Sequence, residues 1–157
     1  MSDFAVAITL EDGMWDCALL PERLAEDLQA LLAALRQQPG EGGTIGFVNV
    51  SDEFFVAVRL LGGETRILLS DVTAAVAWDL AAQVCDLLGI ERPGDDDMDE
   101  VWPAGDLSIF SDMGLDEMEL GTLLGDLDAY ADETLVMIAR RLGFAEAYER
   151  VVDPVLH

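Results

Sequence analysis

Residues 54 to 69 constrain the fold more than any other stretch. Phe54, Val56, Val58 and Leu60 alternate with Phe55, Ala57, Arg59 and Leu61, the period of two in which successive side chains take opposite faces of a pleated strand. Gly62-Gly63 follows. Both positions tolerate positive φ, which suits a two-residue hairpin loop. Thr65 to Leu69 then reads as the returning strand of an antiparallel pair.

Further strand signals lie upstream. Ile45 to Val50 is rich in β-branched and aromatic residues and stops at the turn signal Ser51-Asp52. Phe4, Val6, Ile8 and Leu10 alternate, Glu11-Asp12-Gly13 marks a turn, and Trp15, Cys17 and Leu19 alternate after it. Pro21 sits where a helix can begin. Leu24, Leu28, Leu31, Leu32 and Leu35 fall on one helical stripe, which predicts a helix near 22–38, ended by Pro39-Gly40. Ser70 or Asp71 can cap a second helix near 72–89, with Val76, Leu80, Val84, Leu87 and Leu88 as its buried stripe and Gly89 as its stop.

These elements predict an α+β fold: an antiparallel sheet of about five strands in the order β-β-α-β-β-β-α, with both helices packed on it. Profilin-like and longin-like modules share that order, and several of them are docking platforms; the analogy is one of topology and carries no function. The sheet domain is expected over residues 1–90. An acidic linker, 91–105, holds Pro93-Gly94-Asp95-Asp96-Asp97-Met98-Asp99-Glu100, a charge run expected to stay solvated. Residues 106–157 then form a short helical unit. Leu120, Leu123, Leu124 and Leu127 make one stripe; Leu135, Ile138, Ala139 and Leu142 make another, with Asp132 as its expected cap and Gly143 as its stop.

Composition excludes several classes of function. Of the 157 residues 52% are hydrophobic, too many for general disorder, yet no apolar run reaches the roughly 18 residues of a membrane span. The amino terminus shows no basic stretch leading into an apolar one, so the expected location is the cytoplasm. Thirty-two acids against eight arginines, with no lysine, give a net charge of −24. Such a surface repels phosphate backbones and anionic lipids, which leaves no direct nucleic acid and no membrane among the expected partners. It favours encounter with a basic protein. Self-association stays open.

The reactive residues are sparse. Cys17 and Cys85 stand far apart and the only histidine is His157, so a zinc site of closely spaced ligands is not expected. Zinc deamination needs His-x-Glu together with Pro-Cys-x-x-Cys, and neither is present. Ser70 has no Gly-x-Ser-x-Gly context. Gly40-Glu41-Gly42-Gly43 precedes a strand and lacks the lysine of a phosphate loop. Asp95, Asp96, Asp97, Asp99 and Glu100 lack the alternation of a calcium-binding loop. No catalytic, metal or cofactor site is expected. Trp15 and Trp78 suit core packing, whereas Trp102, beside Pro103 in an acidic run, is a candidate interface anchor together with those five acids.

Five blocks carry a family resemblance, in order along the chain. They are Phe4-Ala5-Val6-Ala7; Leu68-Leu69-Ser70-Asp71 with the alanine-rich Thr73 to Ala77; Gly105-Asp106-Leu107; Asp112-Met113-Gly114; and Ile138-Ala139-Arg140-Arg141-Leu142-Gly143-Phe144. With the acidic linker between them, the chain resembles the tRNA adenosine deaminase-associated protein family of actinobacteria, although its linker is short for that family. The resemblance implies a place beside a tRNA adenosine deaminase in tRNA modification and supplies no functional residue. Two functions remain: a non-catalytic accessory protein that contacts the deaminase or another basic protein, or an independent ligand-binding or regulatory module.

With so few cations to displace counterions, the purified protein is expected not to bind tRNA at physiological salt. Micromolar binding with a steep salt dependence in a filter or anisotropy assay would contradict this.

Overall fold

The computed structural model describes residues 3–38, 43–61, 63–90, 103–126 and 129–156, side chains of the last three excepted. A six-stranded sheet runs through it: β1 (Phe4–Glu11), β2 (Met14–Leu20), β3 (Thr44–Val50), β4 (Phe54–Leu61), β5 (Glu64–Leu69) and β6 (Ala104–Gly105), in the spatial order β2-β1-β3-β4-β5-β6. Every neighbouring pair is antiparallel. The helices are α1 (Leu28–Arg36), α2 (Asp79–Leu88), α3 (Glu117–Leu124), α4 (Ala131–Leu142) and α5 (Ala145–Leu156). The α+β class and the chain order of the first seven elements are as the sequence predicts.

The hairpins close as their turn residues require. Asp12 and Gly13 carry φ of 52° and 77° between the paired Glu11 and Met14, a two-residue turn with both central residues at positive φ. Leu61 pairs with Glu64, and Gly63 has φ 84°. The β3–β4 turn places two non-glycine residues, Ser51 (φ 54°) and Asp52 (φ 57°), in the left-handed region. Hydrogen bonds tie that turn down: the Ser51 amide donates to Asp3 Oδ1 (2.7 Å), and the Asn49 side chain donates to Asp52 Oδ1 (2.7 Å).

Both predicted helices of the first ninety residues begin later than their stripes suggest. A 3-10 turn, Glu22–Ala25, precedes α1, because Asp27 caps the helix by accepting from the Ala30 amide (3.1 Å). Another, Val72–Val76, precedes α2; Asp71 accepts from the Thr73 amide at its start (2.9 Å). The delayed start rotates the buried face of α2 to Leu80, Ala81, Val84 and Cys85, and leaves Val76 and Leu87 exposed, contrary to the predicted stripe. Gln83 locks the two helices together, accepting from the Leu28 amide (2.8 Å) and donating to the Glu26 carbonyl (2.9 Å).

α1 and α2 cover one face of the sheet, over Ala5, Ala7, Val48, Val50, Phe54, Val56 and Val58. The other face is equally apolar, presenting Phe4, Val6, Ile8, Ile45, Phe47, Phe55 and Ala57. The carboxy-terminal helices lie on it. Ile109, Phe110, Leu120, Leu135, Ile138, Phe144 and Tyr148 complete this second core. Phe47 is its hub, with ring centroids 5.7 Å from Phe144, 5.7 Å from Tyr148 and 6.3 Å from Phe110. Residues on both sides of 91–105 thus share one core, so the helices of 106–157 form a layer of the sheet structure.

Two local expectations need correction. Ala104-Gly105, read as the end of the linker, is a sixth strand paired with Leu69 and Leu68. Gly105 has φ 106°, and a Cβ there would lie 2.2 Å from the Ile67 carbonyl oxygen; glycine is what lets the chain pass so close. Asp132 does not cap α4. Tyr130 occupies that position, and Glu133 reaches back to accept from its amide (3.1 Å).

Two predictions follow from the shared core. A fragment of residues 1–90 leaves the Phe47 face bare and is expected not to melt cooperatively as a monomer, as circular dichroism and sedimentation would show. Phe47→Ala in the full chain is expected to cost about 3–5 kcal/mol in chemical denaturation.

Candidate functional site: an arginine pair at the end of the second face

The alternation of β4 that buries Phe55 and Ala57 in the second core carries Arg59 onto the same face. The register places Arg66 of β5 directly beside it. Two like charges paired across strands are unfavourable unless anions meet them. Arg59 is 8% exposed, and both terminal nitrogens of its guanidinium are hydrogen-bonded. It donates to the Ile109 carbonyl (2.9 Å) and grips Asp112 with two parallel bonds, one of them Nη2 to Oδ2 at 2.9 Å. Arg66 is half-exposed, 3.6 Å from Glu64 and 3.7 Å from Asp106.

Between these strands and the chain at 106–112 lies a cavity of about 320 Å³, walled by Arg59, Arg66, Ser108, Ser111 and Asp112. Three carboxylates thus surround two guanidinium groups. Hydrogen bonding from Arg59 holds the Asp112 carboxyl below its ordinary value, which makes it a poor proton acceptor. The Ser108 hydroxyl donates to Asp106 Oδ1 (2.6 Å) and so is used within its own turn. The cleft can hold a polar group by hydrogen bonds. Its most evident work is mechanical: Arg59 straps the chain after β6 to the sheet.

The residues singled out in the sequence fall as follows. Trp102, Asp95, Asp96, Asp97, Asp99 and Glu100 lie outside the described residues. Trp15 packs on Phe144 (5.1 Å) and Trp78 on Phe54 (5.7 Å), both as expected. Ser70 exchanges backbone and hydroxyl hydrogen bonds with Phe55, accepting from its amide at 2.8 Å, so it extends the sheet while Asp71 caps. Burial, aided by Asp16, pushes the Cys17 thiol up to about 12, and thiolate chemistry is suppressed. Among the described residues no group of three or more His, Cys, Asp or Glu is placed to hold a metal.

Five of the seven described arginines lie beside carboxylates, the cleft pair Arg59 and Arg66 among them, while Arg23 and Arg36 are exposed. Beyond the cleft, Arg140 faces Glu149 (3.8 Å), Arg141 pairs with Glu119, and Arg150 pairs with Glu146 (2.6 Å). Sequence reading missed the Arg59–Asp112 clamp because its partners are 53 residues apart. The signal that could have found it was a lone arginine on an otherwise apolar strand face.

The model of the family described as Rv3753c-like tRNA adenosine deaminase-associated protein matches residues 3–145. The chain belongs to this family. The Mycobacterium tuberculosis protein Rv3753c is 42% identical over 151 residues, 96% of this chain and 87% of its own length. No solved structure matches. Two of the blocks that carry the family resemblance fall on structural joints of the cleft wall: Gly105 at the β5–β6 crossing, with Asp106 and Asp112 against the arginine pair.

No helix among the described residues is long and apolar enough to cross a membrane.

The clamp gives an asymmetric expectation. Asp112→Ala strands a buried guanidinium and should cost about 1–3 kcal/mol; Arg59→Met returns an exposed carboxylate to water and should cost less. Asp112 has a depressed folded pKa, so its stabilisation is present above the ordinary value of 3.8 and lost as pH falls through the folded value. Asp132 runs the other way. Burial and then Asp52 raise its pKa, so it subtracts stability as pH rises from 3.8 through the raised value. Asp132→Asn should therefore raise the melting temperature at pH 7 and not at pH 3, a difference thermal melts of both proteins would reveal.

Proposed function

We propose that the protein is a non-catalytic accessory component that docks on a tRNA adenosine deaminase in the cytoplasm, by offering an acidic surface to a basic, tRNA-binding enzyme. The observation that carries this reading is the charge imbalance of −24 in a chain where five of the seven described arginines, at 59, 66, 140, 141 and 150, are already matched with its own carboxylates and only Arg23 and Arg36 stand exposed beyond them. What remains is unbalanced negative charge. The family description supports the choice of partner, and the lack of the zinc-deaminase signature in the sequence supports an accessory role.

In this reading the acidic third, 91–157, steers association. Fourteen acids lie between Arg92 and Arg140 with no basic residue among them. Complementary charge mainly raises the association rate, whereas residence time needs an apolar anchor, for which Trp102 is the candidate. The cleft beside Arg59 favours the second reading, an independent ligand-binding or regulatory module, if no deaminase contact exists.

Surface binding measurements with the host's deaminase test the proposal. Association should slow with added salt and with Asp95, Asp96, Asp97, Asp99 and Glu100 neutralised. Trp102→Ala should speed dissociation. Binding indifferent to salt and to both variants would remove the linker from the interface, and no binding at all would favour the independent module.

A further inference from the structure

The two edges of the sheet are finished differently. At one, β6 covers Leu68 and Leu69, and the rest of β5 shows the charged Glu64 and Arg66. Short covering strands and charges are how proteins keep an edge from pairing with other chains. The other edge, β2, has no covering strand among the described residues, although α5 packs on it from the side of the second core. It is seven residues long, Met14-Trp15-Asp16-Cys17-Ala18-Leu19-Leu20, with one charge and no proline. Met14 is 74% exposed and Leu19 44%. Among the described residues, nothing beyond β1 pairs with it in the sheet.

The hairpin register shows which backbone groups are free. The two-residue turn makes Glu11 and Met14 a hydrogen-bonded pair, and such pairs alternate along an antiparallel ladder. Thr9 with Asp16, Ala7 with Ala18 and Ala5 with Leu20 are then the other bonded pairs. Trp15, Cys17 and Leu19 turn their N–H and C=O groups outward. We infer that β2 is a docking strand that an extended segment of a cationic protein partner joins, adding a seventh strand. Exposed Glu11, Asp12, Asp16 and Glu22 rim this edge, so the fitting segment alternates apolar residues, on the side of Leu19, with lysine or arginine, on the side of Asp16. A second copy would bring the same carboxylates edge to edge and is disfavoured. Main-chain bonds would supply affinity and the alternating side chains selectivity.

This inference rests on the accessory reading, and the host's tRNA adenosine deaminase is the probe. Hydrogen exchange on the full-length protein should show the Trp15, Cys17 and Leu19 amides exchanging fast alone and protected when the deaminase is added. Leu19→Pro removes one outward N–H without touching the bonds to β1 and should weaken binding roughly ten-fold. Ala18→Arg, which keeps every edge N–H, should weaken it through charge. Deaminase binding that leaves these three amides in fast exchange overturns the docking strand and spares the accessory reading. No binding by the native protein overturns both. Amides already protected in a purified dimer would show the edge closed by a second copy, and would also overturn the inference.

Discussion

Phe47 and Phe54 sit on neighbouring strands and point to opposite sides of one sheet, and both are fully buried. A sheet with two apolar faces cannot stop at a single helical layer, because the bare face would leave a contiguous apolar surface in water. The rest of the molecule answers that requirement. α1 and α2 close the Phe54 side. The chain then has to travel to the far side, which it does past β5 by way of β6, before α3, α4 and α5 close the Phe47 side.

That crossing explains features that look unrelated in isolation. Gly105 is squeezed against the Ile67 carbonyl because the chain pairs with β5 as it passes the sheet edge. Arg59 occupies a position that alternation assigns to the second core, yet it lies where that core runs out and the chain of 106–112 passes overhead. A guanidinium there is costly unless paired. Asp112 and the Ile109 carbonyl come from that passing segment, so the charge and the strap satisfy each other. The cleft is the space left where the strap bridges two strands.

Charge and packing divide the molecule cleanly. Carboxylates that lie near arginines are spent on structure, and the excess faces solvent. Among the described residues, β2 is a long edge strand with no pairing partner beyond β1, with Met14 and Leu19 exposed and acids at its rim. An accessory protein that works by contact needs a surface of this kind. The acidic run of 95–100 and the edge of β2 offer long-range attraction and directed bonding respectively, two roles that are physically separable.

Much of this was legible from residues alone because it is local. Period-two alternation marked β1, β2 and β4, β-branched and aromatic content marked β3, Asp12-Gly13 and Gly63 marked hairpins, and Gly89 and Gly143 marked helix ends, since each depends only on neighbours in the chain. The charge of −24 and the absent deaminase signature needed no structure either. Tertiary contact decided the rest. A 3-10 turn capped by Asp71 takes up 72–76, and α2 begins only after Trp78, whose ring packs on Phe54 of the sheet. The last third showed amphipathic stripes, but a stripe does not name the surface it covers. The Arg59–Asp112 clamp and the free edge of β2 exist only through register and strand order, which pair residues that the sequence keeps far apart.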